Sequence, residues 1–305
     1  MEGTKARFTR LAACPACAGR SLRPYKKGTY AGRLTQDEIK ITDSQYGRIW
    51  DLSLCLDCGH IFANPCPSPD FIFSLYTQVC DPEYEEEAAG RSRNFLKILD
   101  ALERIVPGRG ALFDVGAATG ILLDLARSRG WQPDGSEPSS WAVKIAAEKY
   151  GLALRQGPFE AARLKENAYA AVMMIDFIEH TPLPHEAVVR AHRILRRGGV
   201  LVLVTPDIHS PAAKIAGRRW WHFRPAHLAF FSRASLMALL GGAGFTIIEE
   251  RRYAWTFSAH YLLSRRSLTR PLLKNPVVAS FLKRIPIKLA LGDSFEIYAR
   301  KDGNG

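Results

Sequence analysis

A glycine-rich turn between an apolar run and the start of a helix constrains this chain more than any other feature. The segment 111–124 reads ALFDVGAATGILLD, in which an apolar run typical of a strand buried on both faces precedes two glycines. Gly116 and Gly120 can adopt positive φ and let a ligand approach the backbone, while the helix that opens at Ile121 offers unpaired N–H groups. The pattern predicts a nucleotide-binding corner, although purely structural glycine turns have the same form.

An acidic residue follows at the spacing that such a corner requires. The segment 130–139 predicts the next strand, which ends in Glu137, about 20 residues beyond the glycine turn. A carboxylate at that strand end can accept hydrogen bonds from a ribose. Asp114 beside the first glycine would repel a pyrophosphate but suits a cofactor with a cationic amino-acid end. The residues therefore favour S-adenosylmethionine (SAM) over a dinucleotide.

These residues resemble the class I SAM-dependent methyltransferases, whose first motif D-x-G-x-x-x-G is matched by Asp114, Gly116 and Gly120. Ala118 stands where many members carry a further glycine. The resemblance continues through Glu137, DFIEH at 176–180 and RRGGVLVLVTP at 196–206, and it covers about residues 92–302. It implies an α/β fold with a doubly wound, Rossmann-like sheet of seven strands. The cofactor-binding residues that it implies are Asp114, Gly116, Ala117, Gly120, Glu137, Pro138, Phe159, Asp176 and Phe177.

The rest of the chain alternates helix and strand patterns, as a doubly wound sheet requires. Helices are predicted over 81–106, 141–150, 184–195 and 233–242. Further strands are predicted over 152–155, 170–175, 200–204, 245–250 and 294–300, the last antiparallel by the resemblance. Ligands in such sheets lie beyond the carboxyl ends of the strands, so we expect Asp176, Glu179 and His180 on the cofactor side.

Four of the six cysteines form two CxxC pairs, Cys14 with Cys17 and Cys55 with Cys58. Two such pairs in a reducing compartment are typical of a tetrahedral, structural Zn²⁺ site. Two disulfides or four ordinary thiols are the alternative, and His60 is an alternative ligand.

Residues 1–66 are therefore predicted to form a small N-terminal zinc ribbon. Its hairpin has strand candidates at 40–42 and 49–54. A helical connector at 67–110 and a SAM-binding domain at 111–302 would follow. The connector sequence at 59–76 resembles that of bacterial methyltransferases with an N-terminal zinc ribbon, a group associated mainly with sugar, surface-glycan and natural-product methylation. This resemblance favours a ribbon that caps a substrate pocket over a ribbon that grips RNA.

His180 is the leading candidate for a general base, because a neutral imidazole can take a proton from an acceptor hydroxyl. Glu179 would orient His180 or contact a substrate hydroxyl. Alternatively, the two residues only cap the following turn, or they help to hold a divalent cation. A second cluster at 220–231 (WWHFRPAHLAFF) contains His227, a rival base, and aromatic rings suited to stacking on a sugar. The alternative for this cluster is a hydrophobic anchor.

The positive charge of the chain is concentrated near its end. The formal net charge is +12, and residues 251–292 hold nine Lys or Arg and no Asp or Glu, interleaved with apolar residues. We expect this insertion to contact anionic lipid or an acidic, lipid-linked substrate, with a solvated lid and an RNA-binding surface as alternatives. Neither a run of 18 apolar residues nor a signal peptide is found, so a cytoplasmic protein, peripheral at the inner membrane face, is expected.

These observations together predict a SAM-dependent methyltransferase that acts on a small-molecule or glycan acceptor. O-methylation of a sugar or a lipid-linked glycan intermediate is the favoured reaction. The alternative is a zinc-ribbon RNA methyltransferase, in which the ribbon and the basic insertion hold the nucleic acid. A scaffold with an inactive catalytic domain is disfavoured by the intact Asp114, Gly116, Gly120 and Glu137.

Overall fold

The computed structural model describes residues 8–30, 34–265 and 269–302. Residues 1–7 and 31–33 of the predicted ribbon, and 266–268 of the basic insertion, lie outside this description. The described strands are β1 (Phe8–Thr9), β2 (Leu22–Lys26), β3 (Leu52–Cys55), β4 (Ile61–Ala63), β5 (Cys66–Pro67), β6 (Ala111–Val115), β7 (Gln132–Glu137), β8 (Arg155–Gln156), β9 (Tyr169–Ile175), β10 (Leu195–Pro206), β11 (Ala229–Phe230), β12 (Phe245–Arg252), β13 (Trp255–Ser258), β14 (Pro286–Leu289) and β15 (Ser294–Lys301).

The α-helices are α1 (Pro69–Tyr76), α2 (Pro82–Glu86), α3 (Ala88–Ile105), α4 (Ile121–Ser128), α5 (Ser140–Tyr150), α6 (Pro184–Ile194), α7 (Pro211–Ala216), α8 (Arg233–Gly242), α9 (Ala259–Ser264) and α10 (Pro276–Arg284). Short 3₁₀ turns cover Gln36–Ile39, Phe159–Ala161, Gly217–Arg219 and Arg270–Lys274. In the described part of the chain, none of the helices is both long and apolar enough to cross a bilayer.

The central sheet has seven strands in the order β12–β15–β10–β9–β6–β7–β8. Strands β8, β7, β6, β9 and β10 pair in parallel, and β15 pairs antiparallel with both of its neighbours. The chain leaves β6 toward β7 on one side and later returns to β9 on the other, which makes a topological switch point between β6 and β9. The predicted fold class, a seven-stranded Rossmann-like sheet, is confirmed.

Local sequence signals account for several helix boundaries. Helix α5 begins where the Ser139 hydroxyl accepts a hydrogen bond from the Ala142 amide, and it ends at Gly151, whose φ is +62°. Helix α8 begins at Ser232, which forms a reciprocal capping box with Ser235. Both predicted helices therefore form nearly as expected.

Several predicted elements have different boundaries in the structure; for example, the strand predicted over 200–204 is part of the longer β10. The helix predicted over 81–106 is divided into α2 and α3 at Glu87, whose carboxylate accepts hydrogen bonds from the Ser258 amide and hydroxyl. The strand predicted over 152–155 is shorter and later, as β8. Its predicted first residue, Leu152, still bonds through its amide to the Ala146 carbonyl at the end of α5.

The N-terminal part forms a four-stranded sheet in the order β11–β4–β3–β2. The predicted strand at 49–54 is present in shifted form as β3, but the strand predicted at 40–42 is wrong. The Thr42 amide donates to the Asp81 carboxylate at 3.0 Å, so this stretch bonds to a side chain instead of to a neighbouring strand. β2, directly after the first CxxC pair, pairs with β3 in its place. Because β11 comes from the C-terminal half, the N-terminal part and the central domain share a sheet.

The described part of the basic insertion, between β12 and β15, holds β13, α9, α10 and β14. Its β13 packs on α3 through paired hydrogen bonds: the Asn94 side chain donates to the Thr256 carbonyl at 2.9 Å and accepts from the Thr256 amide at 2.8 Å. The insertion is therefore attached to the helix that precedes β6.

Candidate active site and cysteine cluster

A cavity of about 430 Å³ lies beyond the carboxyl ends of β6, β7 and β9. Six of the nine predicted cofactor-binding residues line it: Gly116, Glu137, Pro138, Phe159, Asp176 and Phe177. The other three, Asp114, Ala117 and Gly120, are not among the described residues that line it. A volume in this range is typical of small-molecule sites.

The glycine turn passes along the cavity wall in the left-handed conformation. Gly116, Ala118 and Gly120 have φ values of +71°, +47° and +86°. A Cβ atom on Gly120 would lie 2.7 Å from Leu152 Cδ1, so no larger residue fits there without movement. The Ala118 amide donates to Glu137 Oε2 at 2.9 Å, which holds this residue in an unfavourable conformation.

Glu137 is buried at the end of β7, and each of its carboxylate oxygens has a backbone partner. Oε2 accepts from the Ala118 amide, and Oε1 accepts from the Ser139 amide at 2.8 Å. Burial raises the pKa of Glu137 to about 7, the two amides opposing that shift. Burial and the neighbouring Glu137 raise the pKa of Asp114 well above its ordinary value. Two crowded carboxyl groups at this corner suit a ligand that brings a positive charge.

The opposite wall of the cavity comes from the N-terminal part of the chain. The apolar and aromatic residues of this wall are Ile39, Ile41, Pro69, Ile72, Phe73, Tyr76, Val79 and Tyr84. Tyr76 was missed in the sequence analysis. The signal available was helical spacing, because Ile72 and Tyr76, four residues apart on α1, lie on the same face.

His180 lies at the meeting point of the two walls. Its Nδ1 is 3.0 Å from the Tyr76 hydroxyl and 3.0 Å from the Ala226 carbonyl oxygen. A carbonyl oxygen only accepts hydrogen bonds, so Nδ1 carries the proton and Nε2 keeps its lone pair. Burial, assisted by the positive charge of Arg224, lowers the pKa of His180 to about 3. The imidazole is therefore neutral and available as an acceptor near pH 7.

Glu179 and His227 lie behind His180 and do not line the cavity. The Glu179 carboxylate accepts from the Thr205 hydroxyl at 2.9 Å, and the Glu179 carbonyl accepts from the Leu228 and Ala229 amides. These backbone bonds place the loop that carries His227 against the end of β9. The His227 and His180 rings are 4.6 Å apart and nearly perpendicular.

One potential ligand atom from each of Glu179, His180 and His227 lies within 4.8 Å of the others. Burial and the nearby Asp176 raise the pKa of Glu179 well above its ordinary value, and burial and His180 lower that of His227 well below its own. Such a set of one carboxylate and two imidazoles is of a kind that binds a divalent transition metal.

The aromatic cluster at 220–231 forms part of the core. None of its residues is among the described residues that line the cavity, and Trp220, Phe223, Phe230 and Phe231 are almost fully buried. The rings that were expected to stack on a sugar do not line this cavity, and the alternative, a hydrophobic anchor, describes them. Strand β11 pairs with β4, so the cluster packs against the four-stranded sheet of the N-terminal part and away from the cavity.

The four cysteines of the two CxxC pairs meet, with all four sulfur atoms within 4.8 Å of one another. Two of the Sγ···Sγ distances are 3.7 Å, from Cys14 to Cys58 and from Cys17 to Cys55. Four sulfurs about 2.3 Å from a tetrahedral zinc ion are about 3.8 Å apart, so the cluster has suitable dimensions for zinc.

The turn after each cysteine pair has a left-handed residue at the same position, Ala18 in the first pair and Gly59 in the second. His60 is not part of the cysteine cluster. Its ring is buried and stacks on Phe231, with the centroids 4.6 Å apart.

The sheet order, the switch point and the glycine turn define a Rossmann-like methyltransferase fold of class I. The model of a family described as "Methyltransferase domain" matches residues 88–250, more than half of the chain. The chain belongs to this family and is a SAM-dependent methyltransferase.

Several solved structures are similar to the chain, whereas no curated protein matches it. A SAM-dependent methyltransferase of Thermotoga maritima is 24% identical, with a TM-score of 0.48 over 76% of this chain and 99% of that one. A SAM-dependent methyltransferase of Archaeoglobus fulgidus is 19% identical, with a TM-score of 0.45 over 68% of this chain and 94% of that one. A phosphoethanolamine N-methyltransferase of Haemonchus contortus is 15% identical, with a TM-score of 0.44 over 68% of this chain and 52% of that one.

Proposed function

We propose that this methyltransferase acts on a hydroxyl group of a small sugar or of a lipid-linked glycan intermediate. The observation that carries the proposal is the origin of the cavity wall opposite the SAM motifs. Ile39 and Ile41 from the ribbon part, with Tyr76 from the connector, close the cavity. An N-terminal part that encloses a cavity of this size acts as a substrate cap, and a cap selects a small acceptor over a folded RNA.

The lining offers both of the contacts that a sugar needs. Aromatic rings of Phe73, Tyr76 and Trp141 present flat faces, and the carboxyl groups of Asp176 and Glu160 offer acceptors for hydroxyl groups. The RNA alternative loses support, because none of the described residues of the basic insertion lines this cavity.

Glu137, Gly116 and Phe159 are the residues that we propose hold SAM. The Glu137 carboxylate would accept hydrogen bonds from the ribose hydroxyls through the oxygen lone pairs that do not already accept from the Ala118 and Ser139 amides. When bound, SAM would supply an electrophilic methyl group on a sulfonium centre, whose S–CH3 bond breaks on transfer to leave the neutral thioether S-adenosylhomocysteine. Asp114, behind the turn, adds negative charge on the side of the cationic amino-acid end.

His180 is the proposed general base. Its Nδ1–H points to the Ala226 carbonyl and the Tyr76 hydroxyl, so Nε2 can take the acceptor proton as the acceptor oxygen forms its bond to the methyl carbon. Tyr76 and Ala226 then hold the imidazole ring in place. His227, packed edge-on against His180 but outside the cavity wall, is the second candidate.

Zinc is the metal that we propose for Cys14, Cys17, Cys55 and Cys58. A thiolate cluster with these spacings suits a closed structural site, which contributes to folding and takes no part in catalysis. The site would hold the two turns at the base of β2 and β3, and thereby the ribbon part that caps the cavity.

Labelled SAM and fractionated acceptor pools would test the acceptor class. The purified chain is incubated with methyl-labelled SAM and, separately, with small metabolites, lipid-linked glycans and RNA. We expect label in a metabolite or glycan pool, stable to conditions that cleave methyl esters, and loss of that label with Tyr76→Ala. Label in the RNA pool alone would contradict the proposal.

A further inference from the structure

The outer face of the basic insertion is unusually apolar for a protein surface. Seven of the fourteen large hydrophobic side chains that are exposed in the described part of the chain lie between residues 272 and 291. They are Leu272, Val277, Val278, Phe281, Ile285, Ile287 and Leu291. Monomeric proteins rarely expose a contiguous apolar patch of this kind without an interaction to explain it.

Helix α10 shows how the apolar side chains are arranged. Val277 and Phe281 are separated by four residues and therefore lie on one face of the helix, and they are 76% and 65% exposed. Its other face packs on α9 and the 3₁₀ turn Arg270–Lys274. Asn275 caps the helix by accepting from the Val277 and Val278 amides, so the helix is formed without a partner on its outer face.

Positive charge accompanies these apolar side chains. Lys274, Lys283, Arg284 and Lys288 are all exposed, and no acidic residue occurs between positions 251 and 292. In the described part of the chain, Lys283 alone of these four has a carboxylate within 4 Å, that of Glu86 of α2 at 3.2 Å. Exposed apolar side chains flanked by Lys and Arg on an amphipathic helix are complementary to a bilayer that bears anionic headgroups.

Hydrogen bonds attach the inner face of the insertion to α3 and to the residue before it. The Glu87 carboxylate accepts from the Ser258 amide and hydroxyl, both at 2.6 Å, and the Asn94 side chain forms two hydrogen bonds with Thr256. Neighbouring antiparallel strands such as β12 and β15 need only a short loop between them. A long, well-anchored insertion with an apolar outer face therefore calls for a function of its own.

We propose that the outer face of α10 and β14 docks this enzyme on an anionic membrane surface. Phe281 and Val277 would enter the boundary between headgroups and acyl chains, while Arg284 and Lys288 contact the lipid phosphates. Docking of this kind places the enzyme on the bilayer without crossing it.

Vesicle sedimentation with the full chain tests this proposal. The probes are vesicles of phosphatidylcholine alone and vesicles that contain about 30% phosphatidylglycerol. We expect the chain to bind the anionic vesicles at least about 10-fold more tightly than the neutral ones, and to release them as the salt concentration rises. The readout needs neither SAM nor an acceptor, so it is independent of the proposed reaction.

Two double variants separate the apolar contribution from the charged one. Val277→Ser/Phe281→Ser should weaken binding to anionic vesicles at least about 10-fold. Arg284→Gln/Lys288→Gln should weaken it about 30-fold, since each basic residue near an anionic surface contributes a factor of about five. The matched controls are Ile215→Ser, an exposed apolar residue outside this face, and Arg10→Gln/Lys165→Gln, both of which should bind like the unmodified chain.

Three results would overturn the proposal. The first is equal binding to neutral and anionic vesicles, or no binding to either. The second is a Val277→Ser/Phe281→Ser variant that binds like the Ile215→Ser control while its circular dichroism shows a folded protein. The third is a dimer in analytical ultracentrifugation that the same double variant dissociates, since the face would then serve contact between two copies of this chain.

Discussion

Replacing Glu137 by alanine gives the sharpest test of the proposed SAM site. The carboxylate is buried, and its two oxygens accept from the Ala118 and Ser139 amides at 2.9 and 2.8 Å. Hydrogen bonds to a charged group contribute about 1.5–3 kcal/mol, so losing the ribose contacts should weaken SAM binding by about 10- to 150-fold. Isothermal titration calorimetry measures this directly.

Binding of two fragments of SAM, adenosine and methionine, separates loss of the ribose contact from general damage to the protein. Adenosine carries the ribose and methionine does not, so the factor lost for adenosine should match that for SAM. A parallel thermal melt checks that the variant is folded, because the unbonded Ala118 and Ser139 amides also cost stability. An unchanged SAM affinity in a folded variant would refute the role of Glu137.

The pH dependence of SAM binding follows from the same carboxyl group. Burial raises the pKa of Glu137 to about 7 in the free protein. Ribose binding favours the ionised form, so it lowers this pKa, and SAM affinity should rise as the pH increases toward 7 and then level off. In Glu137→Gln, this rise of SAM affinity with pH should be absent. A slope that persists in that variant would assign the titration to another group.

Three further predictions concern the base, the metal and the turn. His180→Ala should lower kcat about 100-fold with SAM affinity nearly unchanged. Because burial lowers the pKa of His180 to about 3, the ratio of kcat of the unmodified chain to kcat of this variant should stay constant from pH 5 to 8. A ratio that changes near pH 6.5 would contradict this. Metal analysis should find about one zinc per chain, lost together with thermal stability in Cys58→Ser, and four free thiols in a metal-free native protein would argue against it. Gly120→Ala should lower the free energy of unfolding by more than about 1 kcal/mol in urea titrations, whereas Gly108→Ala, with open space around it, should change it by less than about 0.5 kcal/mol.

The tertiary structure lowers the pKa of His180, the first of the two candidate bases, below the ordinary histidine value. The groups that surround its ring come from distant parts of the chain: Arg224, whose charge assists the shift, lies on the segment before β11, and Tyr76, whose hydroxyl is 3.0 Å from Nδ1, lies on α1. Burial by these segments removes water from the ring and disfavours its charged form. A motif identifies such a residue, but its proton affinity depends on what packs around it.

The amino-acid sequence by itself determined most of the central sheet and the glycine turn at its switch point. Strand periodicity, glycines that tolerate positive φ and an acid at the end of the next strand are local properties, and they predicted β6, α4 and β7 with Glu137 correctly. The two CxxC pairs likewise predicted a four-cysteine cluster, because a tetrahedral site requires that spacing within each pair.

Only the tertiary structure decided which segments surround the cavity. Tyr76 reaches His180 across 104 positions of sequence, and the aromatic cluster at 220–231 is directed into the core by the pairing of β11 with β4. A pattern of apolar and polar residues predicts that one face of a helix or strand is buried, but it does not predict which other element packs on that face. Long-range pairing makes that choice, since it depends on the fit between surfaces that are far apart in the chain.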